Sequence, residues 1–185
     1  MIMPPKAIIS IVGVHAGCSP EDIFKTKIED MERLGYCFWA LRSNKCQPSV
    51  IRTFGDEPIM CVFIAAAGAS KTNRFGKSRP STIRNIACQY STDKNVWINM
   101  PVGMSEVTGK LSDGLGYAFV LENLKMVDEW FDLGRYVEYP STQKIRMCPW
   151  CSSVCSTLSN QMGPENIRKV FAIASLAREK CVWLR

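Results

Sequence analysis

The sequence predicts an α+β fold in which one mixed β-sheet is packed by two main helices. Three observations carry this. Two apolar runs of strand length, Ala7–Val14 and Ile59–Ala67, have glycine close behind them; residues 20–34 form an amphipathic segment with stop and start signals at its ends; and several short β-branched and aromatic runs follow. The chain has 185 residues, 46% apolar and 22% charged. That is enough for one domain spanning 1–185 to bury a core without a metal or disulfide. No stretch approaches the ~18 consecutive apolar residues of a membrane-spanning helix.

Ala7–Val14 reads as the first strand. Followed by His15-Ala16-Gly17-Cys18, it also resembles a bacterial lipoprotein signal, but His15 stands where that signal wants an aliphatic residue, and strand-then-turn is the simpler reading. Ser19-Pro20-Glu21-Asp22 supplies an N-cap, a proline at the first helical position and acids in the first turn. Ile23, Phe24, Ile28 and Met31 then share one helical face until Gly35 stops the helix. Tyr36–Leu41 is the next strand, placed to run parallel to the first through a right-handed crossover.

Pro48–Phe54 is a short helix, and Ile59–Ala67 is a buried central strand. Gly68–Ser81 is a polar, basic loop of fourteen residues. Ile83–Tyr90 and Val96–Met100 make a hairpin with a five-residue connection, and Tyr117–Leu124 is a further strand. Asp128–Tyr139 reads as irregular chain ending in a short strand. Ile167, Val170, Phe171, Ala174 and Ala177 recur at helical spacing, so the second main helix is expected over Pro164–Lys180.

The net charge of +6 is uneven: residues 1–70 balance, 71–105 carry +5, 106–139 carry −4 and 140–185 carry +5. Two basic stretches meeting on one face would attract an anionic partner; cations dispersed on loops would only solubilise. The nine cysteines are an odd number, and Cys37, Cys61 and Cys88 sit in apolar runs as small buried thiols. This fits a reducing, intracellular compartment, cytoplasmic or nuclear, better than a secreted disulfide scaffold.

Four constellations could carry chemistry. The Gly13–Ser19 turn feeds a helix start, where backbone N–H groups favour an anion, but it matches neither a Walker A loop nor a dinucleotide fingerprint. His15 is the sole histidine, so any Ser-His or Cys-His mechanism must use that ring. Cys148-Pro149-Trp150-Cys151, with Cys155 beyond, has the spacing of a redox pair and resembles the glutaredoxin-type C-P-x-C. The reading the residues favour is free thiols on a turn or short helix, with the redox pair and three zinc ligands awaiting a fourth from Cys181 or His15 as its alternatives. Asp128, Glu129 and Asp132 read as solvated acids. No metal ligand set is assigned and no cofactor is expected.

The fourth constellation interleaves rings and cations. Phe38 and Trp39 lead into Arg42, Ser43 and Lys45; Phe75 lies between Arg74 and Lys77; Tyr90 and Trp97 flank the hairpin turn. Such rings can stack bases while cations hold phosphate, although rings on strands more often serve the core. Phe38-Trp39-Ala40-Leu41-Arg42-Ser43 resembles the opening of EVE domains of the PUA-like group, with Asn44-Lys45 where that family has Glu-Pro. The resemblance implies a sheet curled into a partial barrel, non-catalytic binding of nucleic acid, often at a modified base, and a pocket bordered by Trp39, Arg42 and Ser43.

The reading is therefore a binding protein for an anionic ligand, RNA or DNA. Lys71, Arg74, Lys77, Arg79 and Arg84 are expected on phosphate, with Trp39 and Arg42 on a base. One rival is a thiol-dependent enzyme or redox protein using Cys148 and Cys151. Another is an accessory subunit that docks through an exposed apolar patch.

Overall fold

The computed structural model describes residues 6–13, 19–41, 48–52, 54–56, 59–65, 89–101, 116–139, 152–157 and 167–185. In chain order the elements are β1 (Lys6–Val12), α1 (Pro20–Leu34), β2 (Cys37–Leu41), α2 (Pro48–Arg52), β3 (Met60–Ala65), β4 (Gln89–Ser91), β5 (Ile98–Asn99), β6 (Gly116–Asp132), a 3-10 turn (Leu133–Arg135), β7 (Tyr136–Glu138), β8 (Ser152–Thr157) and β9 (Ile167–Leu184). All nine strands join one mixed sheet, with the main order β2-β6-β9-β3-β1-β8-β7; the β4–β5 hairpin hangs on β9. Its two ends are different strands, so the sheet is open. No helix among the described residues is long and apolar enough to cross a membrane.

The local signals around α1 act as expected. Ser19 Oγ accepts from the Asp22 N–H at 3.2 Å, and Asp22 Oδ2 accepts from the Ser19 N–H at 3.2 Å, so each satisfies a donor that the helix end leaves open. At the other end Gly35 takes φ +82° and donates its N–H to Met31 O at 2.8 Å. That left-handed conformation suits glycine. Phe24, Ile28 and Met31 then pack the helix onto the sheet.

The β1–α1–β2 reading needs correction. Among the described residues the only parallel pair is β1 with β3, running from Ala7 opposite Met60 to Val12 opposite Ala65. β2 instead closes the far edge, antiparallel to β6 with Cys37 opposite Leu121 and Leu41 opposite Tyr117. Followed through the ladders β3–β9, β9–β6 and β6–β2, its polarity is opposite to that of β1. The connection between the parallel strands β1 and β3 thus runs through α1, the edge strand β2 and α2.

A larger correction concerns the last segment, where the expected Pro164–Lys180 helix is replaced by the strand β9. Ala, Leu, Arg, Glu and Lys favour helices, and that composition supported the helical spacing. A second period was present in the same residues: Ala172, Ala174 and Leu176 alternate and are buried on the helix side, while Val170, beyond a register shift, is buried on the opposite face. Pairing on both sides, to β3 and to β6, decides between the two periods. Asp128–Asp132 likewise continues β6 rather than forming irregular chain, and the short final strand expected there is β7.

β6 and β9 are joined along almost their whole lengths, but not in even register. Phe119 pairs with Cys181 and Leu121 with Leu176, so the four residues Ala177–Lys180 lie opposite Val120 alone. Lys180 takes φ +54° to re-enter the ladder. On β6, Asn123 takes φ +52° where Asn123 and Leu124 face one residue of β9, and its Nδ2 donates to Ser175 Oγ at 3.1 Å. Such bulges bend the strands that carry them. They divide β9 between two neighbours: β3 beside residues 170–175, and β4 beside Trp183 and Leu184.

The helix-side core gathers Phe24, Phe63, Tyr117, Phe119 and Cys181, while Ile9, Val62, Phe131 and Val170 fill part of the opposite face. Phe63 is fully buried and touches two rings, Phe24 at 5.2 Å and Trp39 at 4.5 Å between centroids. Phe63→Ala is expected to cost about 3–5 kcal/mol in urea denaturation. Trp130→Ala, at a ring left 68% exposed, should change stability by less than ~0.5 kcal/mol.

Candidate nucleic-acid interface

The pairings of β9 bring cations and rings together at one end of the sheet. Tyr117 of β6 faces Trp183 of β9, and Trp183 faces Ser91 of β4. Gln89 and Arg185 exchange backbone hydrogen bonds at 3.3 and 3.1 Å, which fixes the hairpin against the segment after β9. Side chains alternate across a strand, so Trp183 and Arg185 emerge on the helix side while Val182 and Leu184 pack beneath. Tyr90 anchors the hairpin from that opposite face, its ring 5.1 Å from Phe38.

On the helix side, Lys94 Nζ lies 3.7 Å above the centre of the Trp183 ring, and the Arg185 guanidinium lies 4.2 Å from the centre of Trp97. Trp97 is clamped at its edge by Nε1 donating to Lys94 O at 3.2 Å. Arg185 Nε donates to Gln89 Oε1 at 2.8 Å, and Gln89 Nε2 donates to Asn99 Oδ1 at 3.2 Å. Arg52, at the end of α2, reaches the same hairpin by donating to Thr92 O. Among the described residues, none of Arg52, Lys94 and Arg185 forms an ion pair.

The turn is held by its own polar groups. Ser91 Oγ accepts from Lys94 N–H at 2.9 Å, and Lys94 takes φ +68°. Asp93 accepts from the amides of Asn95 at 2.8 Å and Val96 at 3.3 Å, and these two bonds hold its carboxyl below the ordinary value. One carboxylate, already committed to the turn, therefore accompanies three exposed cations.

Of the site residues expected from sequence, Trp39 is described. Its indole is half-buried on the same sheet face, stacked on Phe24 at 5.4 Å and 9°. Trp39 pairs with Phe119, whose other neighbour is Cys181, two residues before Trp183 on the same side of β9. Arg42, Ser43, Lys71, Arg74, Lys77, Arg79 and Arg84 lie outside the described residues, as do His15, Cys148 and Cys151. Tyr90 and Trp97 flank the turn as expected, one facing the core and the other Arg185.

Arg52, Trp183 and Arg185 were missed in the sequence. Lys94 was counted only in the charge of the basic stretch. The available signal was the alternation Cys181, Trp183, Arg185, which lies just beyond the helix expected over Pro164–Lys180.

The described cysteines Cys37, Cys61 and Cys181 are buried. Burial pushes the Cys181 thiol up to about 11, against the opposing pull of Arg52 and Lys180. No group of metal-binding side chains occurs among the described residues. In comparison with known proteins, no family model, no curated protein and no solved structure matches this chain. At neutral pH, Cys181 should carry roughly 100-fold less thiolate than an ordinary cysteine. Timed alkylation with mass mapping should find it unmodified in the native protein under conditions that label it fully in urea; labelling at equal rates in both would refute its burial.

Proposed function

We propose that this protein binds an anionic ligand, RNA or DNA, without catalysing a reaction on it. The single observation that carries the reading is the convergence of Arg52, Lys94 and Arg185, unpaired by carboxylates among the described residues, beside the indoles of Trp97 and Trp183. Unneutralised cations attract phosphate, and each phosphate contacted releases condensed counterions. Indoles and stacked guanidinium groups offer flat surfaces to bases.

The proposal keeps the residues expected from sequence. Arg42 and Ser43 follow Leu41, which lies two strands from Trp183 at the same end of the sheet, so the β2 exit supports their inclusion with Trp39. Lys71, Arg74, Lys77, Arg79 and Arg84 would add phosphate contacts. The resemblance of Phe38–Ser43 to EVE domains supports the same reading and, with it, a PUA-like curl of the sheet. The bulges that bend β6 and β9 are consistent with that curl. An intracellular location, cytoplasmic or nuclear, is proposed with it, supported by the burial of Cys37, Cys61 and Cys181 as small apolar side chains.

Affinity for an oligonucleotide should fall steeply with salt, and three phosphate contacts alone give a log–log slope of roughly −2 to −3. Lys94→Gln and Arg185→Gln should each weaken binding several-fold and reduce that slope by about 1. No binding at about 50 mM salt, or an unchanged slope in both variants, would sink the reading.

A further inference from the structure

From the arrangement around Arg185 we infer that the ligand is single-stranded nucleic acid, with one base laid on the outer face of the Arg185 guanidinium and its edge turned toward the Gln89 and Asn99 amides. This rests on the nucleic-acid reading and narrows it. The argument starts from what each side chain has already committed. Trp97 has one face under Arg185 and its N–H on Lys94 O, so the ring is fixed as a base plate for the guanidinium. Arg185 spends its Nε on Gln89 Oε1. Its two terminal nitrogens and its outer face are left toward solvent, since the residue is exposed and forms no ion pair among the described residues.

Next to this plate the hydrogen bonds run in one direction, from Arg185 to Gln89 and from Gln89 to Asn99. Asn99 is exposed, and its Nδ2 donors lie at the end of the row, beyond an Oδ1 already occupied by Gln89. A planar cation with amide donors at its side matches a nucleobase, which has a π face to stack and carbonyl or ring-nitrogen acceptors at its edge. Lys94 on the turn and Arg52 at the end of α2, which donates to Thr92 O, are left for the flanking phosphates.

A duplex would use only part of this arrangement. Its base faces are covered by stacking, so a protein sheet laid against it meets phosphate and sugar, and Arg185 would act as a charge alone. The committed base plate and uncharged amide row gain nothing from such a partner. An unstacked strand can use the face, the edge and the backbone together. The hairpin is fixed in advance by the bonds of Ser91 and Asp93, which reduces the ordering required on binding.

The test is a titration of the full chain, by fluorescence anisotropy, with labelled single-stranded RNA and DNA 16-mers and with blunt duplexes of matched length. Single strands of either sugar should bind about 10-fold or more tightly than the duplexes. Asn99→Ala removes no charge and alters an exposed side chain, so it should weaken single-strand binding about threefold or more, leave duplex binding and the salt slope unchanged, and preserve the melting temperature. Lys94→Gln should instead lower the slope for both ligands. Duplexes bound as tightly as single strands, or Asn99→Ala without effect on single strands, would overturn the inference and leave the nucleic-acid reading standing. Binding to neither ligand would remove both.

Discussion

The antiparallel pairing of β6 with β9 is the constraint on which the sheet depends. Every other described strand reaches the rest through one of these two or through a neighbour of β9: β2 lies on β6, while β3 and β4 lie on β9. Two long strands cannot serve neighbours on both sides in an even register without twisting apart, and the bulges absorb the difference. The four-residue excursion at Ala177–Lys180 carries β9 from its contact with β3 to its contact with β4. The left-handed φ at Asn123 and Lys180 marks where the chain re-enters the ladder.

The interface follows from that geometry. Trp183 and Arg185 are aligned by strand alternation, Lys94 and Trp97 by the hairpin, and Arg52 by the burial of Ile51 beneath α2. No two of these elements are consecutive contributors in a single motif. Each cation–ring contact is worth ~0.5–1 kcal/mol at an exposed site, so the cluster is positioned by the sheet more than it holds the sheet together.

Elements marked by local chemistry were legible in the sequence. The Ser19 cap, the Gly35 stop, the apolar run of β3 and the β4–β5 hairpin depend on neighbours a few positions away, and the structure agrees with each, except that Ser91 belongs to β4 and the connection is Thr92–Trp97. Pairing partners were not legible. Tyr36–Leu41 carries a clear strand signal, yet nothing in those residues distinguishes β1 from β6 as a neighbour. β9 was misread because small and charged residues such as Ala172, Ala174 and Lys169 satisfy both a helical stripe and an alternating strand, and only the flanks supplied by β3 and β6 choose between them. The cluster at the hairpin was hidden for the same reason: Arg52, Lys94 and Arg185 become neighbours through that pairing alone.

The central place of β9 also bears on biosynthesis. Translation is vectorial, and β9 leaves the ribosome after every strand it joins. Until it arrives, three groups of strands lack their common neighbour: β6 with β2, β4 with β5, and β3 with β1, β8 and β7, so β6, β3 and β4 each present an unpaired hydrogen-bonding margin. Such margins are where nascent chains stick to one another. The emerging polypeptide must therefore be shielded, or must collapse only loosely, until a single late segment zips these three groups into one sheet.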